Sequence, residues 1–157
     1  MDGEKIASRM ELKPSLQTIE NEISWLEKVI DFRFDDYFRQ EREITLPVAP
    51  ILDDDSYYSS LINNNDLGLH ERLLIIITLV PHIKPTVLDT FYTKNANIDR
   101  VYTEFGGMKG DKHGGIIPTA QTAAFIIAGE DLEVRMQIHN HLRDESLLTR
   151  LNILCVG

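Results

Sequence analysis

The segment Leu67–Val80 is apolar on nearly every side, and its second half, Leu73-Leu74-Ile75-Ile76-Ile77-Thr78-Leu79-Val80, carries one hydroxyl and no charge. Such a segment has no polar face to offer water, so any fold of this chain must bury it and wrap the remaining residues around it. Periodicity alone does not choose between a buried strand and a buried helix. Length favours a helix: its fourteen residues exceed a usual strand of about 5–6. Asp66 is placed to cap that helix and Pro81 to stop it. The β-branched run Ile75-Ile76-Ile77-Thr78 keeps the strand alternative open. The run is far shorter than the ~20 apolar residues that span a bilayer, so it reads as core and no membrane partner is expected.

A cover for that core is legible upstream. Leu16, Ile19, Ile23, Leu26 and Ile30 recur at alternating steps of three and four, which predicts a long amphipathic helix over 15–42, preceded by a flexible N-terminus over 1–14. Glu20, Glu22, Glu27, Lys28 and Asp31 fall on the opposite side, and Trp25, Val29, Phe34, Tyr37 and Phe38 broaden the apolar stripe. Docking onto the rest of the domain explains those aromatics; a coiled coil would need a longer run of heptads. Residues 43–66 read as a connector, because Pro47 and Pro50 forbid an interior helix so close together. Asp53-Asp54-Asp55 lacks the alternating ligand spacing and glycine turn of a calcium loop, and reads instead as capping a short helix around Ser56–Ile62.

Further signals follow downstream. Pro85 opens a short helix through about Tyr92. Asn97 is expected to cap another, with Ile98, Val101, Tyr102 and Phe105 at helical spacing and Gly106 at its left-handed end. Thr119 caps a helix over Ala120–Ala128 that Gly129 stops, and a helix from about Asp131 to Leu142 is expected to carry Leu132, Met136 and Leu142 inward. The tail can finish as a strand, Leu151–Val156, paired with Ile116-Ile117. The fold class expected is mainly α: a single domain over 1–157 whose core, 67–157, is helical and winged-helix-like, with at most a small β-hairpin.

Composition bounds the function. At 157 residues and 43% hydrophobic, the chain is long enough for one self-sufficient core. The lone Cys155 excludes an intramolecular disulfide and every multi-cysteine zinc pattern, which suits a reducing compartment. Met1-Asp2-Gly3-Glu4-Lys5 resembles no targeting or acylation signal, so a cytoplasmic location is expected. The net charge is −9 and the pI about 4.9, which argues against a nucleic-acid or anionic-lipid partner. Residues 1–66 hold 15 acids and 7 bases, whereas 67–157 hold 10 and 9, leaving room for a small basic patch in the second half.

Five of the nine glycines lie in Gly106–Gly115. Glycine admits backbone N–H groups to an anion, yet no glycine here is followed by Lys and then Ser or Thr, and no strand is expected directly before the loop, so neither phosphate fingerprint is met. The loop reads as an exposed connector or β-turn wing, and Lys109, Lys112 and His113 are its candidate partner contacts. With Arg100, Arg135 and Arg143 the two lysines would form the basic patch of the alternative reading, a winged-helix nucleic-acid-binding regulator. His139-Asn140-His141 echoes the letters of HNH nucleases, but consecutive helical residues point about 100° apart and the two histidines cannot share a metal. His70, His82 and His113 lack a metal-binding spacing, and Ser24, Ser56, Ser59 and Ser60 lack a nucleophile elbow. No catalytic, cofactor-binding or metal-ligating residue can be named.

Tyr102-Thr103-Glu104-Phe105-Gly106-Gly107, followed after a polar spacer by His113-Gly114-Gly115-Ile116-Ile117-Pro118-Thr119-Ala120-Gln121-Thr122-Ala123-Ala124 and on to Leu132, resembles one family. It is similar to the N-terminal region of AAA-family ATPases encoded with contractile, phage-tail-like injection systems of Bacteroidetes-type bacteria. Trp25-Leu26, Glu71-Arg72-Leu73-Leu74 and Val80-Pro81-His82 extend the likeness over about 15–155. The resemblance implies a winged-helix-like domain ahead of an ATPase core: a non-catalytic docking or regulatory domain whose partners are proteins, namely the ATPase core and an assembly or substrate protein. This sequence has no Walker A or Walker B segment, so no hydrolytic residue carries over, and the chain is expected to be either the front piece of a longer protein or a stand-alone relative.

Overall fold

The computed structural model describes the backbone of residues 2–39, 45–92, 94–95, 100–101, 105–109 and 116–143, and the side chains of 16–38, 45–91, 105–107 and 118–143. The chain is mainly helical. Helix α1 spans Asp2–Arg39, α2 Tyr57–Asn64, α3 Leu69–Ile83, α4 Ala120–Ala128 and α5 Leu132–His141, with a 3-10 helix at Pro85–Tyr92. Two minimal antiparallel ladders join β1 (Lys94–Asn95) to β2 (Arg100–Val101) and β3 (Met108–Lys109) to β4 (Ile116–Ile117). α1 lies against α2, α3 and α4, α5 packs on α4, and the 3-10 helix on α3 and β4.

The apolar run is a helix, and it is the centre of the molecule. Leu73, Leu74, Ile75, Ile76, Ile77 and Val80 are all buried, each contributing about 1.5–3 kcal/mol through removal of its side chain from water. Its ends differ from expectation. Asp66 adopts a left-handed φ of 49° and leaves the N-cap to Gly68. Pro81 lies inside the last turn, and Lys84 N–H closes onto the Val80 carbonyl at 2.8 Å. Proline so near a helix end removes a single hydrogen bond, which burial of its ring in the core offsets. No single helix among the described residues is long and apolar enough to cross a membrane.

α1 begins at Asp2, upstream of its expected start, and Pro14 does not break it. Residues 2–13 are rich in good helix formers, so the helix continues on both sides of the one missing N–H. Of the expected stripe, Ile23, Leu26 and Ile30, with Trp25 and Val29, are buried and Ile19 packs against the core, whereas Leu16 at its start is 59% exposed and Phe38 at its end is exposed. Glu22, assigned by spacing to the polar side, is instead fully buried at 0% exposure. Arg72 of α3 meets it side-on through one guanidinium edge, Nε donating to Oε2 at 2.9 Å and Nη2 to Oε1, while Tyr58 of α2 donates its hydroxyl to Oε2 at 2.8 Å. Arg72 also stacks over Trp25, 5.1 Å from the ring centroid. Burial and the neighbouring carboxylate push the Tyr58 phenol far above its ordinary value, so it stays a donor.

α4 is held at both ends. Thr119 caps it by accepting from Thr122 N–H, and the Thr122 hydroxyl accepts from Thr119 N–H in return. At the other end Gly129 turns the chain at φ 59°, and Arg33 of α1 donates Nε to the Ile126 carbonyl at 2.9 Å and Nη2 to the Ile127 carbonyl at 2.6 Å. Arg135 donates to the Gly129 carbonyl at 2.6 Å. Two cations thus sit on the negative end of the helix dipole. Burial lowers the Arg33 guanidinium from its ordinary value, against the opposing pull of Asp36 and Asp131. Between these ends Phe34, Phe91, Phe105 and Phe125 meet edge to face and tilted, with centroids 4.8–6.2 Å apart.

Downstream expectations are corrected where the residues are described. Arg100 and Val101, expected within a helix from Asn97 to Phe105, pair instead with Lys94 and Asn95 in a ladder, while residues 96–99 and 102–104 lie outside the described residues. A segment that short cannot repay helix nucleation alone, and β-branched Val101 suits a strand. Ile116-Ile117 pairs with Met108-Lys109, while Leu151–Val156 lies outside the described residues. Leu132 and Met136 of α5 face solvent, 72% and 63% exposed, and Ile138 is the residue that enters the core. The reason is docking: α5 reaches the core through Val134, Ile138 and Leu142, a stripe the apolar count alone did not rank above Leu132 and Met136.

Replacing Glu22 by Ala is expected to cost about 3–5 kcal/mol by stranding the Arg72 charge, and Arg72→Ala a similar amount. The double variant should lose clearly less than the sum, a coupling that a urea-unfolding double-mutant cycle reads directly.

Candidate partner-binding surface

Residues 45–56 form an extended strap along α1, with no regular hydrogen-bonded element of their own. Backbone carbonyls buried without partners are costly, and this strap satisfies its own from the helices it crosses. Trp25 Nε1 donates to the Pro47 carbonyl at 2.9 Å, Arg72 Nη2 to that of Pro50 at 2.6 Å, and Asn63 Nδ2 to that of Leu52 at 2.9 Å. Pro47 and Pro50 bring no N–H of their own and keep the backbone extended. Leu46, Ala49 and Leu52 pack against the core.

The strap ends on Asp54. Its Oδ1 accepts from Ser56 N–H at 2.8 Å, and its Oδ2 from the hydroxyls of Thr18 and Ser59 at 2.8 Å each. Ser56 then caps α2 by accepting from Ser59 N–H at 3.2 Å. The aspartates were expected to cap this helix; the cap is instead Ser56, whose N–H bonds to the Asp54 carboxylate. Hydrogen bonds from Ser56, Thr18 and Ser59 outweigh desolvation and hold the Asp54 carboxyl well below the usual carboxylate range. All three donors are neutral. Asp53, Asp54 and Asp55 make no ion pair with any described residue.

With its carbonyls turned inward, the strap turns large apolar side chains outward. Val48 is 93% exposed, Ile51 85%, and Tyr57, the first residue of α2, 84%. Between strap and α1 lies a cavity of about 230 Å³ lined by Gln17, Thr18, Asn21 and residues 50–54. Single exposed apolar residues are ordinary on a protein surface; three within ten positions of one anchored segment are a local concentration of apolar exposure.

Of the sequence-derived contact residues, Lys109 lies on β3 at the base of the β3–β4 hairpin, paired with Ile116. Lys112 and His113 lie outside the described residues. The hairpin meets the start of α4: Gly107 N–H donates to the Thr119 hydroxyl at 3.1 Å, and a Cβ on Gly106, whose φ is 58°, would stand 2.6 Å from that oxygen. The Gly106-Gly107 turn and the cap of α4 thus meet at one hydroxyl. Elsewhere His141 Nδ1 stands 3.7 Å from Glu71 Oε1 and its ring 6.2 Å from that of His70, while His139 is exposed. Burial first, and then His141, lower His70 from its ordinary value. Among the described residues no group of three or more His, Cys, Asp or Glu is arranged to hold a metal.

Set beside family models, curated proteins and solved structures, the chain matches none. Sequence reasoning missed the strap as a surface because its exposed side chains looked like ordinary linker residues. The available signal was two prolines among apolar residues, in a segment too hydrophobic for a solvated loop.

Two outcomes follow. A carboxylate depressed in the folded state contributes stability that is present in full above its ordinary value of 3.8 and is lost as pH falls below it. Asp54→Asn should therefore lower stability at neutral pH and flatten the decline below pH 3.8, as read from thermal unfolding across an acid series. Gly106→Ala should destabilise by about 1–3 kcal/mol, from its left-handed backbone and the contact with Thr119, as measured by urea unfolding.

Proposed function

We propose that this chain is a protein-docking domain: the non-catalytic N-terminal part of an AAA-type ATPase machine of the contractile-injection class, acting in the bacterial cytoplasm to engage an assembly or substrate protein. The observation that carries the docking role is the strap, which holds Val48, Ile51 and Tyr57 outward on a backbone pinned at Pro47, Pro50 and Leu52. A rigid apolar display loses little conformational entropy on binding, which suits it to a partner rather than to solvent. The ATPase context rests on the sequence resemblance alone. A winged-helix-like arrangement belongs to the same reading, and the β3–β4 hairpin seated against the α4 cap supports it.

The test is site-specific photo-crosslinking. A photoreactive residue at Val48 or Ile51 should link the chain to one defined protein when it is co-expressed with an AAA-type ATPase and the structural proteins of a contractile injection system, whereas the same residue at exposed Asp89 on the 3-10 helix should not. Equal labelling at all three positions would defeat the docking role. ATP hydrolysis above background by the purified chain would defeat the non-catalytic role.

A further inference from the structure

The strap's chemistry also selects what docks on it. Its apolar side chains are flanked by carboxylates: Asp53 and Asp55 are exposed, and Asp54 lines the cavity. Three neutral hydrogen-bond donors keep Asp54 ionised, and none of the three aspartates has a cationic partner among the described residues. Among the described residues, the guanidinium that reaches the strap, that of Arg72, is committed to Glu22 and the Pro50 carbonyl. The region 1–66 as a whole carries more than twice as many acids as bases. An apolar ridge beside uncompensated negative charge is complementary to a segment with apolar residues and adjacent Lys or Arg, and it repels an acidic one.

We propose that the strap and the cavity beside α1 bind an extended partner segment in which apolar residues cover Val48 and Ile51 while a neighbouring Lys or Arg reaches over Asp53 and Asp54. The carboxamides of Gln17 and Asn21 on the opposite wall, hydrogen-bonded to each other at 3.0 Å, offer that cation a polar, uncharged lining. The carboxylates steer the approach and the apolar contact holds the complex. This inference rests on the docking reading and names the partner's chemistry.

The experiment titrates the isotopically labelled 157-residue chain with two synthetic extended peptides of identical apolar core, one flanked by arginines and one by glutamates, followed by amide chemical shifts. The arginine peptide should shift the amides of 48–57 and bind at least about tenfold more tightly than the glutamate peptide. Its affinity should fall with added salt and drop about fivefold in the double variant Asp53→Asn, Asp55→Asn. Ile51→Ser should weaken it as well. All three positions are exposed, and retained spectra outside the strap confirm that the variants fold.

Equal affinity for the two peptides overturns the charge selection while leaving the docking role standing. Binding of the arginine peptide that Ile51→Ser leaves unchanged overturns the apolar contact. Shifts from neither peptide overturn the inference altogether, and the docking role is then decided separately by crosslinking at Val48 and Ile51.

Discussion

A carboxylate with no solvent exposure must find its counterions and donors inside the protein, and Glu22 finds them in Arg72 and Tyr58. These three residues come from α1, α3 and α2, so the interaction can be satisfied in only one relative placement of the three helices. Its second reach, from Arg72 to the Pro50 carbonyl, adds the strap to the same assembly. Desolvating two charges costs several kcal/mol, and replacement by a well-packed apolar cluster is often neutral or better for stability. What such a cluster would lack is direction. Apolar contacts around α3 tolerate sliding and rotation, whereas a bidentate guanidinium contact and a phenol donor do not.

The opposite end of α1 repeats the device in a milder form. Arg33 reaches the last carbonyls of α4, where Gly129 leaves room: a Cβ there would stand 2.8 Å from the guanidinium. One long helix therefore carries two cation-centred clamps, one ordering the first half of the domain and one tying it to the second. Between them the phenylalanine cluster fills the interior with rings from α1, the 3-10 helix, α4 and the Phe105 turn. The Gly106-Gly107 turn then lies against the α4 cap. That contact explains by geometry why glycines stand there: φ at both is positive, and the first has no space for a side chain.

Seen from the strap, the clamps have a functional consequence. An extended segment with two prolines would be mobile if free, and its apolar side chains would fold back onto the protein. Tying three of its carbonyls to Trp25, Arg72 and Asn63, and its end to Thr18 and Ser59 through Asp54, removes that freedom. The outward side chains are then presented in a fixed order beside fixed negative charge. The polar interactions that organise the core and those that shape the candidate surface are in part the same residues, Arg72 foremost.

Several elements were legible in the residues because their causes are local. Thr119 and Gly129 bracket α4, Asp131 caps α5, Pro85 opens the 3-10 helix, and the stripe Ile23, Leu26, Ile30 faces inward, each following from capping chemistry or helical period within one segment. The uncharged run Leu73–Val80 demanded a buried central segment and its length favoured a helix, which the structure covers except at exposed Thr78 and half-buried Leu79. What depended on other parts of the chain was decided only by the tertiary structure. Spacing places Glu22 on a polar face, and only the arrival of Arg72 and Tyr58 makes its burial tolerable. Leu132 and Met136 match Ile138 in hydrophobicity, and the way α5 docks selects among them. Arg100 and Val101 fall within a helical period after Asn97, yet pairing with Lys94 and Asn95, a contact from another segment, makes them a strand. The strap was readable as extended from its prolines, but which side chains it exposes follows from the carbonyl anchors on α1, α2 and α3. Local sequence thus determined where most of the helices lie, and non-local polar pairing decided which faces they bury and which surface is left exposed.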